Sequence, residues 1–178
     1  MAGLGEVILS GEYGELYEFA KRGSVYSACN QAVVSTTAGL ATTFTGLAVA
    51  NPAGSGVNLV MRGFRCAQVA AGVAGAVGLM TGSGAAAGAL VTRNAKVGGA
   101  ASPATTASAG ATIATPVLER VLGSLGSVAT TGYGLQAGLV FDLQGAIIVP
   151  PGFYIASYTT AATTSALIFS LVWIEVAI

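Results

Sequence analysis

The pattern of apolar and polar positions along this chain predicts a protein built mainly from β-strands. In residues 139–144, Leu, Phe and Leu alternate with Val, Asp and Gln, which is the period-two pattern of a half-buried strand. The run 165–176 (SALIFSLVWIEV) is apolar on both faces, as expected for a strand that is covered on both sides. Turn-forming residues separate such runs, among them 51–56 (NPAGSG) and 150–152 (PPG). We therefore predict an all-β protein, with about eight strands in an antiparallel β-sandwich or jelly roll.

The same pattern places the individual strands. Residues 57–69 (VNLVMRGFRCAQV) are predicted to form one strand, in which Arg62 and Arg65 fall on opposite faces. Residues 97–111 offer nothing large to bury and are predicted to form a loop. The segments that flank the Pro-Pro-Gly turn are predicted to pair as a β-hairpin. The full set of predicted strands covers residues 44–49, 57–69, 73–80, 89–93, 112–120, 138–149, 153–159 and 165–176.

Residues 12–22 (EYGELYEFAKR) form the one segment with a convincing helical pattern. One face of this helix carries apolar side chains at positions i, i+3, i+4 and i+7: Tyr13, Leu16, Tyr17 and Ala20. Gly23 follows as a stop signal. We predict that residues 1–30 form an N-terminal arm with a short helix and that residues 31–178 form the β-sandwich domain. The helix is either an ordinary surface helix or part of an arm that reaches a neighbouring subunit.

Charged residues are unusually scarce, and this changes what the surface can be. Seven Lys and Arg balance seven Asp and Glu, and together they make up 8 % of the chain, against roughly 25 % in an average soluble domain. Such a chain has little electrostatic protection against association. We therefore expect either a membrane protein or a protein whose surface is covered by copies of itself or by partners. The balanced, sparse charge also lacks the basic stripe that nucleic-acid binding needs, so no nucleic-acid partner is expected.

The membrane alternative is disfavoured by the composition of its best candidate segment. Residues 66–92 are long enough to cross a bilayer. Their hydrophobicity comes mostly from Ala and Gly, which favour membrane insertion much less than Leu, Ile or Phe. A Thr-Gly-Ser-Gly run interrupts the segment at residues 81–84. We therefore expect no membrane partner. The first fifteen residues lack a basic leader before an apolar core, so we expect no secretory signal and a reducing cytoplasm.

The side chains that most enzymes use are nearly absent. The chain has no histidine and a single aspartate, Asp142, so neither a Ser-His-Asp triad nor a histidine metal site can form. No phosphate-binding or nucleophile-elbow motif occurs. Cys29 and Cys66 have no metal-type spacing and are expected to be small buried side chains. We expect no enzyme activity, no metal and no cofactor. Asp142 and Glu175 are expected to form salt bridges with arginines, and Arg62 and Arg65 are the candidates for Glu175.

Candidate interface residues lie in the predicted helix and in two of the predicted strands. The expected interface set is Tyr13, Leu16, Tyr17, Arg62, Arg65 and Trp173. An alternative reading uses aromatic residues, because their ring faces can pack on sugars. In that reading Tyr154, Tyr158 and Trp173 would line a glycan-binding groove, although aromatic side chains at strand spacing are more often core or interface residues.

Three segments give the chain a resemblance to known proteins: GAIIVPPGFYIASYTTAATTSALIFSLVWIEV at the end, NPAGSGVNLVM in the middle and ELYEFAKRGSVYSACNQA near the start. With its uncharged Ala/Gly/Thr-rich middle, Pro-Pro-Gly turn and closing Trp-x-Glu strand, the chain resembles a group of small virion proteins of tailed bacteriophages. The resemblance implies a β-sandwich or jelly-roll subunit, such as a trimeric head cement (decoration) protein or a fibre component. It implies no catalytic residue.

The function expected from the sequence is therefore structural. We expect a capsid cement or decoration protein that stabilises the head shell by binding between major capsid subunits. The expected partners are the major capsid protein and the chain itself, as a homo-oligomer and in particular a trimer, because small side chains bury little area in an isolated domain. The protein would be assembled into the virion in the host cytoplasm. The alternative is a tail-fibre or spike domain that binds a host surface glycan.

Overall fold

The structure is a computed structural model that describes residues 14, 16–70, 75–84, 88–125 and 138–178, apart from the side chain at position 165. Strands make up 59 % of it and helix 3 %, and all strand pairs are antiparallel. The all-β prediction is therefore confirmed. Among the described residues there is one helix, α1 (Tyr17–Lys21). The strands are β1 (Val25–Cys29), β2 (Val34–Thr36), β3 (Thr43–Asn51), β4 (Val57–Gln68), β5 (Gly75–Ser83), β6 (Arg93–Asn94), β7 (Thr106–Thr112), β8 (Val117–Leu125), β9 (Gly138–Asp142), β10 (Ile148–Val149), β11 (Phe153–Thr159) and β12 (Thr163–Ala177).

The strands form two sheets with the connectivity of a jelly roll. Sheet A has the order β10-β4-β12-β1-β6, with β9 also paired to β4 and β2 to β12. Sheet B has the order β7-β3-β11-β5-β8. The chain passes from one sheet to the other at most connections, so strands that are neighbours in sequence mostly lie in opposite sheets. This alternation, with the last strand next to the first, is the double Greek-key arrangement of jelly rolls.

The main core lies between the two sheets. In β12, Leu167, Phe169, Leu171 and Trp173 all point inward and are at most 2 % exposed. The ring of Phe169 stacks on that of Phe64 in β4, with centroids 5.9 Å apart. The prediction that β12 is covered on both sides is therefore correct for its inner face. On the outer face Ile174 is also buried, but Ile168 and Val172 are only half-buried.

A second apolar cluster lies on the outer face of sheet B, beneath a short connection that we call the strap, residues 113–116. The strap joins β7 to β8, which are the opposite edges of the sheet. Ile113 of the strap is buried against Phe44, Ala48, Ala50, Met80, Tyr154 and Ala156. The Tyr154 hydroxyl donates a hydrogen bond of 3.0 Å to the Ala114 carbonyl oxygen. Small side chains thus allow a backbone segment of the same chain to pack closely on the sheet.

Three predictions about the strands and their connections are wrong. The Pro-Pro-Gly turn does not close a hairpin, because β10 pairs with β4 in sheet A whereas β11 pairs with β3 and β5 in sheet B. The predicted loop at residues 97–111 contains most of β7, which pairs with β3 at the edge of sheet B. An edge strand is held by backbone hydrogen bonds and needs no large side chains. Conversely, the strand predicted at residues 112–120 begins only at Val117, after the strap.

Of the helix predicted at residues 12–22, the structure confirms residues 17–21, since Gly14 has the left-handed φ of 92° and Leu16 lies in a turn before the helix. The helix ends at its predicted stop. Gly23 has φ of 77°, and its N–H bonds to the Ala20 carbonyl while the Ser24 N–H bonds to the Phe19 carbonyl. This pair of bonds is the Schellman motif. The next element, β1, pairs with β12 and β6 in sheet A. Residues 25–29, which the sequence analysis places in the N-terminal arm, are therefore part of sheet A.

Within the part of the chain that the structure describes, no helix has the length and apolar character needed to span a bilayer.

Candidate interaction surface

A β-bulge in β4 decides where the two predicted interface arginines lie. Gly63 pairs with Val172 and Met61 pairs with Trp173, so Arg62 is an extra residue in β4. The bulge lets Met61 and Phe64 both point into the core, at 0 % exposure. Arg62 and Arg65 are instead half-buried and exposed, respectively, and both line one cavity on the outer face of sheet A. The prediction that they lie on opposite faces is wrong, because a regular strand was assumed.

The cavity that these arginines share combines charged and apolar side chains. We call it the arginine recess, and its volume is about 260 Å³. This volume is slightly below the range of about 300–1,000 Å³ that is usual for small-molecule sites. A few side chains of a partner would fill it. It is lined by Leu16, Arg62, Gly63, Arg65, Val140, Phe141, Asp142 and Val172.

The paired strands β4 and β9 form the floor of the arginine recess. Gly63 lies opposite Asp142, and Arg65 lies opposite Val140. A side chain added at Gly63 would meet only the Phe141 carbonyl oxygen at 3.6 Å and the Val172 Cβ at 4.0 Å. The missing side chain at Gly63 therefore gives the recess its depth. Nothing in the sequence indicated that Gly63 belongs to this site. The outward position of Asp142, in contrast, follows from the period-two pattern of its strand.

Asp142 uses one carboxylate oxygen within its own turn. Its Oδ1 accepts a hydrogen bond of 3.0 Å from the backbone N–H of Gln144, which has the left-handed φ of 50°. This bond stabilises the turn that ends β9. An ion pair between Asp142 and an arginine was expected. The hydrogen bond that the structure describes for Asp142 is made instead with the backbone N–H of Gln144. Asp142 nevertheless lies in the same recess as both arginines.

The helix brings further apolar groups to this side of the molecule. Leu16, which immediately precedes α1, lines the arginine recess. Tyr17 and Phe19 in α1 are each 37 % exposed. The structure therefore places Leu16, Arg62 and Arg65 together and Tyr17 on the adjacent helix. Tyr13 lies outside the described residues.

Trp173 belongs to the core, so its assignment to an interface is corrected. Its side chain is 0 % exposed and stacks on Tyr26 with ring centroids 6.4 Å apart. A side chain on the inner face of β12 cannot reach a partner while the sandwich is folded. Its indole N–H points toward Glu175, at 3.4 Å from Oε1.

Glu175 fixes the connection between β6 and β7 to β12. Its Oε1 also accepts hydrogen bonds from the hydroxyls of Ser102 and Thr105, the latter at 2.5 Å. Hydrogen bonds to an ionised carboxylate are about twice as strong as neutral ones. The partners described for Glu175 are thus hydroxyl and indole groups, in place of the expected Arg62 or Arg65. Its role in the structure is to hold a loop.

Replacing Glu175 with glutamine is expected to lower the free energy of unfolding by about 1–3 kcal/mol, because a neutral amide is a weaker acceptor for the two hydroxyls. Urea denaturation followed by circular dichroism measures the change. The matched control is Glu119→Gln, since the exposed Glu119 accepts one bond of 3.2 Å from Thr81. That change should stay within about 0.5 kcal/mol. Equal losses in the two variants would contradict the loop-holding role.

A second cavity lies where the outer strands of the two sheets approach each other. We call it the edge groove. Its volume is about 350 Å³, and Glu119 of β8 and Ile148 of β10 face it from opposite sheets. Ile148 and Phe153 in its lining are exposed. Sequence reasoning did not indicate this groove, because it arises from strands that are far apart in the chain. The exposed side chains of Ile148 and Phe153 make part of the surface of the edge groove apolar.

The two cysteines are free thiols, and only Cys29 is partly accessible. Burial raises the pKa of the Cys29 thiol above its usual value, and burial raises the pKa of the Cys66 thiol to about 12. The thiolate is the reactive form of cysteine, so neither site is set up for nucleophilic chemistry. Cys66 is part of the main core.

The free energy of unfolding is expected to fall as the pH rises above about 9. In that range the unfolded chain releases the Cys66 proton near its ordinary pKa of 9.0, while the folded chain keeps it up to about 12. Because the unfolded state then binds fewer protons, stability falls by at most about 1.4 kcal/mol per pH unit for this group. Urea denaturation at several alkaline pH values measures the slope. A Cys66→Ala variant should show a shallower slope, and an unchanged slope would contradict this assignment.

No group of three or more His, Cys, Asp or Glu residues that could hold a metal ion occurs among the residues that the structure describes. Comparisons with protein families, with curated proteins and with solved structures find no match for this chain.

Proposed function

We propose that this chain is a structural protein of a tailed-bacteriophage virion, without enzymatic activity. In this role it is a capsid cement or decoration protein that binds between major capsid subunits and stabilises the head shell. It acts as a homo-oligomer, and the trimer is the expected form. The fold supports the proposal by analogy, because jelly rolls are common in viral capsid proteins.

The observation that carries the proposal is the apolar exterior of a sandwich with very few charges. Fifteen large apolar side chains are exposed among the described residues, while only 8 % of the whole chain is charged. Large exposed apolar patches mark surfaces that bind other proteins. On the outer face of sheet A, the arginine recess is lined by Leu16, which immediately precedes α1, and the rings of Tyr17 and Phe19 in α1 are exposed.

Two of the three candidate aromatic residues of the glycan-binding alternative are buried. Trp173 and Tyr154 are at most 1 % exposed, and Tyr158 is only partly buried at the edge of the cluster under the strap. The Tyr154 hydroxyl is already bonded to the strap. Stacking on a sugar needs an open ring face, which neither Trp173 nor Tyr154 offers. The cement role is therefore favoured.

The proposal is tested by sedimenting the purified chain with shells assembled from the major capsid protein encoded in the same genome. The chain should co-sediment with the shells and raise the temperature at which they dissociate. Shells alone and the chain alone are the controls. A chain that stays in the supernatant at saturating shell concentration would remove the cement role.

A further inference from the structure

We propose that the outer edge of β8 is a contact surface for a second copy of this chain, in which Glu119 of each copy pairs with Arg120 of the other. The inference rests on the self-association in the proposed function and adds the place and the register of one contact. β8 is the last strand of sheet B, and among the described strands it pairs with β5 alone. An edge strand of this kind is a natural place for another chain to dock.

The exposed apolar side chains at this edge are the first argument. In β8, Val117 is 61 % exposed and Val121 is 55 % exposed, and Leu118 is exposed as well. Glu119 lines the edge groove, where Ile148 and Phe153 are exposed. Five of the fifteen exposed large apolar side chains among the described residues therefore lie on β8 or in the groove beside it. Such a concentration marks a surface that binds protein.

The sequence of β8 is complementary to itself, and this argues for a second copy as the partner. Residues 117–122 read VLERVL. When two such segments run antiparallel about a two-fold axis between positions 119 and 120, Glu119 faces Arg120 of the second copy and Leu118 faces Val121. Each contact then occurs twice, as in an isologous interface. Opposite charges and apolar pairs that face each other across strands are both stabilising.

The bulge at Glu119 makes this register possible for the apolar pair. Leu118 pairs with Met80 and Val121 pairs with Gly78, whereas Glu119 is an extra residue in β8. Met80 packs in the cluster on the outer face of sheet B, so Leu118 and Val121 both lie on that face. Residues that face each other across antiparallel strands lie on the same face of the sheet. In a regular strand, positions 118 and 121 would lie on opposite faces and could not meet about this axis.

The two charged residues lie on the other face of β8. Glu119 accepts the hydrogen bond of Thr81, and Arg120 pairs with Leu79, whose side chain belongs to the main core. Both charged side chains are exposed, and neither forms an ion pair with the residues that the structure describes. A second copy placed about the two-fold axis supplies an opposite charge to each of them. Because bulges interrupt β8, these side chains carry the contact in place of a continuous backbone ladder.

The size of the contact determines when it forms. It uses mainly residues 117–122 of each copy, against about 20–30 residues a side in a standard stable interface. We therefore expect it to be weak in solution and lost on dilution. A two-fold contact joins copies in pairs, so it adds to the contact that holds the expected trimer and does not replace it. On a shell, where neighbouring copies are held close together, a weak contact of this kind is favoured by the high local concentration.

The test is sedimentation velocity of the full chain at rising concentrations, up to about 1 mM. The average mass of wild type should rise with concentration above its value at high dilution. Glu119→Arg places arginines opposite each other, and Arg120→Glu places glutamates opposite each other. Each of these single variants should weaken the association by about tenfold or more. A wild-type mass that does not change with concentration, or single variants that associate like wild type, would overturn the proposal.

Restored pairing tests the register itself. In a mixture of the two single variants, the arginines of one chain face the glutamates of the other, so the mixture should associate about as strongly as wild type. The double variant Glu119→Arg/Arg120→Glu restores both opposite-charge pairs within one chain and should do the same. If neither the mixture nor the double variant recovers the association, the two positions do not face each other and the proposed register is wrong.

Lys96→Glu is the matched control for Arg120→Glu. Lys96 is exposed in the connection that follows β6, and its reversal changes the net charge of the chain by the same amount. This variant should associate like wild type. If it weakens the association as much as Arg120→Glu does, the effect is one of overall charge and the β8 contact is ruled out. Circular dichroism confirms that each variant is folded.

Co-sedimentation with shells distinguishes the two proposals. If wild type binds shells but the charge reversals leave its self-association unchanged, the β8 contact fails and the cement role stands. If the reversals and the restored pairs behave as expected but no chain binds shells, the cement role fails and the β8 contact stands.

Discussion

Replacing Gly78 with alanine is expected to lower the free energy of unfolding by about 3 kcal/mol or more. An added Cβ at Gly78 would overlap the carbonyl oxygen of Arg120 and lie 3.1 Å from the Val121 Cα. Both neighbours are backbone atoms, so the clash can be relieved only by moving β8 away from β5. The bulges in this pair, next to Gly78, already fix the register. Thermal unfolding followed by circular dichroism should show a Tm lower by roughly 6–12 °C.

The matched control for Gly78→Ala is Gly63→Ala in β4. A Cβ at Gly63 meets its nearest atom at 3.6 Å, which is an ordinary contact, and alanine restricts the unfolded chain more than glycine. Gly63→Ala should therefore change stability by less than about 1 kcal/mol. If Gly78→Ala is as stable as Gly63→Ala, β5 and β8 do not approach each other at Gly78 as closely as described.

Replacing Trp173 with alanine is expected to cost about 3–5 kcal/mol, because it leaves a large cavity in the main core. Trp173 is among the largest fully buried side chains of the structure, and its ring packs on Tyr26. The lost stacking adds to the lost apolar burial. Urea denaturation followed by far-ultraviolet circular dichroism measures the effect without needing the indole signal.

Trp173→Phe separates core packing from hydrogen bonding. Phenylalanine keeps a ring against Tyr26 but loses the N–H that lies 3.4 Å from Glu175 Oε1. Since that distance indicates a weak bond, the loss should be well below that of Trp173→Ala. A Trp173→Ala variant as stable as wild type would show that this side chain is not in the core.

The strands that could be predicted from sequence are those with strong period-two or fully apolar patterns. β12 and β4 match their predicted bounds to within two residues, because large side chains on the inner face make the period visible. β7 could not be predicted, since Ala107 and Ser108 are buried but too small to mark a buried face. Its place is set by backbone pairing with β3.

The connections were harder to predict than the strands. A Pro-Pro-Gly turn between two apolar runs is compatible both with a hairpin and with a passage between sheets. Here Gly152 donates a hydrogen bond to the Asn51 carbonyl oxygen, which positions β11 next to β3. A hairpin and a passage between sheets differ only in which strands the two flanking segments pair with. The local sequence pattern contains no information about that pairing.

The candidate site could be predicted only in part, because a bulge changed the strand period. Leu16, Arg62 and Arg65 were proposed as interface residues and share one recess. Nothing in the sequence placed Arg62 and Arg65 on the same face. Trp173 was wrongly included, since an aromatic residue at strand spacing fits the core and an interface equally well.

The abundance of small side chains is compatible with a close approach either between sheets or between subunits. Ala48, Ala50 and Ala156 lie beneath the strap of the same chain. We therefore expect the chain to associate through its exposed large apolar side chains, because its charges are scarce.

Sedimentation equilibrium over a wide range of protein concentrations tests the association of this chain most directly. We predict a mass that is a multiple of the 17.4 kDa of the chain. Three copies are the expected number, and this mass should persist on dilution. A stable, folded species of 17.4 kDa at all concentrations would contradict it.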